Sequence, residues 1–261
     1  MSNQPLLHAE AYGEGKETFI FLHGLLGSSR NWRSIAKELQ ADCRIYCLDL
    51  RNHGSSFHHP DASIEGMSED LLRFLDHHEI SRAYICGHSL GGKVAMRFSC
   101  DYASRVKKLI IADIAPRIYP AEHHIPTLDA LLGLNLSSVH SRKDADDRLS
   151  ELIPNWGFRQ FLLMNLVSEE SRFIWKSNIA FLRQSIEKLS SNPLQLGDKF
   201  KQPTLFIHGG KSGYLRTEHI PDIRNYFPSA LFEVLTKAGH DVHVDDRPGF
   251  LVALRNFLTP V

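Results

Sequence analysis

Residues 83–96, AYICGHSLGGKVAM, decide how the rest of the chain is read. A short apolar run breaks at Gly87-His88-Ser89-Leu90-Gly91 and continues into small and apolar residues. This predicts a strand, a sharp turn and a buried helix. The serine at the centre of a G-x-S-x-G turn sits on strained backbone between strand and helix, so its hydroxyl stands clear of the sheet edge. Gly87 and Gly91 lack the Cβ atoms that would collide where the two elements approach, and Gly92 extends that small surface. Ser89 is therefore the candidate nucleophile.

Outward from this turn, strands alternate with helices. Residues 6–11, 18–22, 44–50, 83–86 and 108–112 read as strands, and Trp32, Ile35, Ala36 and Leu39 recur at helical spacing. Ile64, Met67, Leu71, Phe74 and His78 mark one face of a second helix with Ser63 at its N-cap, and a third runs over 90–102. Such alternation predicts an α/β chain with a mostly parallel sheet covered on both faces. Pro116 and Pro120 interrupt it, and from there to about residue 193 the periodicity is helical with no convincing strand. The sheet resumes at 204–208, followed by a helix near 217–227, a strand over 231–235 and an amphipathic helix after Pro248. The division expected is a core of 1–116 and 197–261, with 117–196 a helical cap inserted after the sixth strand.

Composition narrows the partners. The 261 residues carry thirty basic and thirty acidic side chains with no block of like charge, so the electrostatic case for nucleic acid or an anionic membrane is missing. The start, MSNQPLLHAEAYGEGKE, has no charged n-region with an apolar h-region, and no run approaches a membrane span. A soluble cytoplasmic protein is expected; oligomeric state stays open. Cys43 and Cys47, four apart in a strand, are about 13 Å distant and cannot bridge. With Cys86 and Cys100 they read as reduced thiols.

A serine needs a base, and His240, after the last strand in Lys237-Ala238-Gly239-His240, stands at the right end of the sheet. His243 and His208 are the competitors. The pairs His58-His59, His77-His78 and His123-His124 have no ligand spacing, so no metal is expected. The tetrahedral intermediate of acyl transfer needs two N–H donors: Leu90, the residue after the nucleophile, and Leu25 in the loop His23-Gly24-Leu25-Leu26-Gly27. In the segment 171–189, Trp175, Ile179, Leu182, Ile186 and Leu189 form a stripe at helical spacing. Arg172, Lys176 and Arg183 fall within roughly 40° of one another on the same wheel, as a solvated border or a substrate-binding rim.

HGLLGSSRNW (23–32), DLRNHGSS (49–56), GHSLGGKVAM (87–96), ADIAP (112–116) and GGKSGYL (209–215) together resemble the α/β-hydrolases, specifically small bacterial esterases of the YbfF type. The resemblance implies a cofactor-free serine hydrolase acting on small acyl esters or thioesters under a helical cap, and a chiefly structural role for the 49–56 loop. The superfamily commonly places its acid in a G-x-x-D pattern, where this chain has Ser212. Some branches place it after the preceding strand, which assigns Asp113; Glu218, Asp222 and Asp241 are the alternatives. Carbon–carbon bond hydrolysis or lyase chemistry on the same triad, and a ligand sensor with residual hydrolysis, are the rival readings.

Overall fold

The computed structural model describes residues 5–170 and 172–259. Met1–Gln4, Ser171 and residues 260–261 lie outside them, and with them the first residues of the amino-terminal stretch, the start of the 171–189 segment and the end of the second core piece.

The first half contains β1 (Ala9–Tyr12), β2 (Glu17–Leu22), α1 (Arg33–Leu39), β3 (Cys43–Leu48), α2 (Ile64–His77), β4 (Ala83–His88), α3 (Leu90–Asp101) and β5 (Val106–Ala112). The chain then leaves the sheet for α4 (Ile125–Gly133), α5 (Arg142–Leu149), α6 (Trp156–Leu163), β6 (Leu166–Glu169), β7 (Arg172–Trp175), α7 (Ile179–Gln184) and α8 (Ile186–Ser190). It returns with β8 (Thr204–Gly209), α9 (Ile220–Tyr226), β9 (Ala230–Leu235), α10 (Val242–Asp245) and α11 (Arg247–Leu258). The strands order as β1-β3-β2-β4-β5-β8-β9, parallel throughout except for β1.

Strand β2 shows why the sheet is covered twice. Its alternate residues point to opposite faces, and both sets are buried. Phe19 and Phe21 share a core with Trp32 and Ile35 from the α1 side and Phe250 and Leu254 of α11. Ile20 and Leu22 pack instead into the core formed by Met67, Leu71 and Phe74 of α2 and Val94 and Phe98 of α3. The Ser63 hydroxyl caps α2 by accepting the Gly66 N–H at 3.1 Å. Cys43, Cys47, Cys86 and Cys100 are all unbonded thiols, and burial raises each of them.

Two expectations change. The insertion follows the fifth strand, not a sixth: the runs read as strands ahead of it form β1 to β5, and the described residues hold no other strand before it. The insertion also contains strands: β6 and β7 pair antiparallel, Leu166 opposite Trp175 and Val167 opposite Ile174. Glu170, with φ of 45°, makes the reversal between them. No helix among the described residues is long and apolar enough to cross a membrane.

Candidate active site

The carboxyl ends of β4, β5 and β9 bring three side chains to one edge of the sheet, the edge where parallel α/β sheets bind ligands. Ser89 follows β4 with φ of 51° and ψ of −115°, outside the conformations that L side chains prefer. Two backbone bonds hold it there: its N–H donates to Ala112 at 3.2 Å, and its carbonyl accepts the Lys93 N–H at 3.0 Å. Close approach demands the flanking glycines. A Cβ on Gly87 would lie 2.1 Å from the Gly91 carbonyl oxygen, and one on Gly91 would lie 2.5 Å from that of Leu22.

Asp113, the first residue after β5, also has positive φ, 50°, and its carboxylate is fully buried. The Gly209 N–H donates to Oδ1 at 3.0 Å, and the Ser212 hydroxyl donates to Oδ2. His240 Nδ1 lies 2.7 Å from that same Oδ2. An ionised carboxylate only accepts, so Nδ1 carries the ring proton. In the neutral ring, Nε2 is then left with its lone pair. Tyr214 stacks on the imidazole at 3.8 Å, and its N–H donates to the Ser212 hydroxyl. Serine at the G-x-x-D position thus bonds the very carboxylate that reaches His240 from the neighbouring strand.

The competing histidines and acids are placed differently. His243 is buried against Trp32, 4.2 Å between ring centres, and burial pushes it well below the usual imidazole range. Its Nδ1 has no partner among the described residues, and the same holds for His208 Nδ1. Asp241 lies 3.8 Å from His88, Glu218 lies 3.7 Å from His219, and Asp222 is exposed. His88 itself is pushed down to about 4 by burial, and its Nε2–H donates to the His240 carbonyl at 3.0 Å. A neutral ring thereby braces the backbone of His240.

Leu25 and Leu90 both border a narrow recess of about 30 Å³ beside Ser89. The loop carrying Leu25 is held by buried His23, whose Nδ1–H donates to Gly24 at 2.8 Å while Nε2 accepts the Leu50 N–H at 3.0 Å. Asn165 of the insertion donates to the Leu26 carbonyl at 2.7 Å. The 49–56 loop supports the same region: Asp49 accepts the N–H groups of Ser29 and Ser55 at 2.6 and 2.7 Å, and Arg51 pairs with buried Asp70 at 2.5 Å. Outside the recess opens a cleft of about 960 Å³ bordered by Ser89 and His240 on one side and Phe158, Phe161 and Met164 of the insertion on the other. Among the described residues no three His, Cys, Asp or Glu side chains cluster to hold a metal ion.

The three basic residues do not share a helical face. Arg172 is exposed on β7, and Lys176 follows that strand and borders a separate pocket with His8 and Glu10. Arg183 on α7 pairs with Asp129 at 2.6 Å. None of the three borders the recess or the cleft. The apparent period spans two elements: hairpin pairing takes Trp175, and the helix starts only after Asn178, whose side chain accepts the Phe181 N–H at 3.0 Å. That Asn, a strong N-cap residue, is the signal that separates them. Sequence reasoning also passed over Lys93, Tyr119 and Tyr214 in the recess. Of these, Lys93 alone had a signal, its spacing of four from Ser89.

A family described as alpha/beta hydrolase fold matches residues 17–247. The mouse protein named sn-1-specific diacylglycerol lipase ABHD11 is 39% identical over 246 residues, covering 92% of this chain and 80% of the relative. Esterase YbfF of Escherichia coli K12 is 32% identical over 239 residues, covering 92% of each. The solved structure titled marine microorganism esterase is 37% identical and superposes with a TM-score of 0.94 over 97% of this chain and 99% of that one.

Proposed function

Since the chain belongs to the α/β-hydrolase fold family, we propose that it is a carboxylic ester hydrolase in which Ser89 is the nucleophile, His240 the base and Asp113 the acid. The observation that carries the reading is the 2.7 Å bond between His240 Nδ1 and fully buried Asp113, on the same cleft edge as Ser89. The named relatives, an esterase and a diacylglycerol lipase, act on the same bond class.

In the first half-reaction Ser89 Oγ attacks the acyl carbonyl carbon while its proton passes to His240 Nε2. The carbonyl electron pair moves to oxygen, where the N–H groups of Leu25 and Leu90 receive the charge. Collapse breaks the bond to the leaving group, which departs as alcohol with the proton from Nε2. Water then repeats the sequence: it attacks the acyl-enzyme, gives a proton to Nε2, and collapse returns that proton to Ser89 Oγ and frees the acid. Asp113 stays ionised throughout, holding the proton on Nδ1 and stabilising the imidazolium as it forms. A thioester follows the same path with a thiol as leaving group, so acyl-CoA thioesters belong to the substrate range proposed. Residues 117–196 act as the cap, their Phe158, Phe161 and Met164 facing the acyl or alcohol portion across the cleft.

A fluorophosphonate probe tests this. Wild type should take one adduct, located on Ser89 by peptide mass spectrometry, and Ser89→Ala should lose both the adduct and hydrolysis of p-nitrophenyl butanoate. Labelling that persists in Ser89→Ala refutes the assignment.

A further inference from the structure

The turn that carries the Leu25 N–H is tied to the insertion. Its Gly27 N–H donates to the Gly24 carbonyl at 3.0 Å, and Leu26 stands between them at φ of 59°, a region that a bulky L side chain enters only at a cost. The Leu26 carbonyl accepts from Asn165 Nδ2 at 2.7 Å. Asn165 lies between α6 and β6 and is 6% exposed. Its amide can face only one way. Nδ2 meets the carbonyls of Leu26 and, at 3.3 Å, Leu162, while Oδ1 accepts the hydroxyl of buried Ser177 at 2.8 Å. Turned over, the amide would set its oxygen against two carbonyls.

These bonds join end to end through two peptide units. Leu26 C=O and Gly27 N–H belong to one peptide, and Gly24 C=O and Leu25 N–H to the other. Asn165 thus donates to a peptide that donates to the peptide whose own N–H is the oxyanion donor of the proposed mechanism. A second donor grips the same Gly24 carbonyl, His23 Nδ1 at 2.8 Å. In such a chain each bond polarises the next, and the donors on the Gly24 carbonyl fix the plane in which the Leu25 N–H lies.

We propose that Asn165 is a positioning residue for the oxyanion hole. Through the Leu26–Gly27 and Gly24–Leu25 peptides it holds and polarises the Leu25 N–H, so the insertion sets the rate of the chemical step as well as what enters the cleft. The inference rests on the ester-hydrolase reading, with Leu25 as an oxyanion donor, and adds the group that holds that donor in place.

Asn165→Leu keeps the approximate shape and removes the donor, and Asn165→Ala removes it with less crowding. With p-nitrophenyl butanoate each is expected to lower kcat by about 10- to 100-fold, short of the roughly 10² to 10³ for losing an oxyanion donor outright, with KM within about threefold. Butylboronic acid tests the hole directly: its boron bonds Ser89 Oγ as the hydroxyl proton passes to His240, and the resulting tetrahedral boronate carries its negative charge where the oxyanion would form. Its affinity should fall by the same factor as kcat. Asn178→Ala, which loses the N-cap of α7 and leaves the Leu26 bond in place, should lower Tm without changing kcat. One measurement needs no variant to fold. When wild type binds the boronate, the Leu25 and Gly27 amide protons and the Asn165 side-chain amide protons should move downfield together in proton–nitrogen NMR spectra, because stronger donation by the first strengthens the others. Values of kcat and boronate affinity within about threefold of wild type in both variants, or a shift confined to Leu25, overturn the positioning role and leave ester hydrolysis standing. No turnover of p-nitrophenyl butanoate by wild type overturns both.

Discussion

Replacing Asp113 by asparagine changes one atom in the bond that carries the proposed mechanism, and the structure allows the consequence to be worked out. The carboxylate faces three donors: the Gly209 N–H at Oδ1, and the Ser212 hydroxyl and His240 Nδ1 at Oδ2. An amide must put its NH2 group at one of these two places. Facing the fixed Gly209 N–H it would oppose donor to donor and leave a buried N–H unsatisfied, at about 1–3 kcal/mol. Facing His240 and Ser212 it meets groups that can adapt, because a hydroxyl rotates and an imidazole changes tautomer. The second orientation is thus favoured by about 5- to 150-fold. It moves the ring proton to Nε2, the atom that has to accept from Ser89. Loss of the carboxylate's charge beside the imidazolium adds to this, and the total expected is a fall in kcat of roughly 10² to 10⁴, as in the serine-protease case. The assay is initial-rate hydrolysis of p-nitrophenyl butanoate with the fluorophosphonate labelling rate measured in parallel, and melting temperature as the control for folding. Ser212→Ala, which removes one of three donors and leaves the tautomer intact, should cost far less. If Asp113→Asn keeps kcat within tenfold at unchanged Tm, while Glu218, Asp222 or Asp241 proves essential, the reasoning is wrong.

Three further outcomes are expected. Gly87→Ala places a methyl 2.1 Å from the Gly91 carbonyl oxygen and should destabilise by about 2–3 kcal/mol, seen as a Tm lower by roughly 5–10 °C; a Tm within 2 °C of wild type would show that strand and helix separate easily. Replacing Arg172, Lys176 and Arg183 together with glutamine should alter acyl-CoA and neutral ester kinetics alike, because none borders the cleft or recess; a KM rise confined to acyl-CoA would contradict this. Burial lowers Lys93 from 10.5 to about 7, so between those values the unfolded chain binds a proton that the folded chain does not, and stability rises with pH across that window. The Tm difference, wild type minus Lys93→Met, should therefore grow between pH 7 and about 9.5, and a flat difference argues against an unpaired buried ammonium.

How far the site was readable depends on how local its causes are. The Ser89 turn is legible because its requirements, two glycines and a strand-to-helix switch, lie within five residues. Arg172, Lys176 and Arg183 misled for the converse reason: side chains recurring at 3.6 residues do not say where a helix begins, and here a hairpin pairing across Glu170 claims the first of them. The five apolar runs read as strands before the insertion all join the sheet, so placing the insertion after a sixth strand was an error of counting and not of pattern.

The sequence by itself determined the alternation of strand and helix, the doubly covered sheet and the glycine-flanked serine, all consequences of periodicity and of which backbone angles each residue tolerates. Only the tertiary structure decided which carboxylate meets His240. Asp113, Ser212 and His240 are far apart in the chain, and what joins them is the order in which β5, β8 and β9 lie side by side. The same is true of Lys93. Its place one turn from Ser89 is local, but its lack of an anion depends on residues 189–191, which fold back over α3 from nearly a hundred residues away and offer carbonyls where the other buried cations find carboxylates.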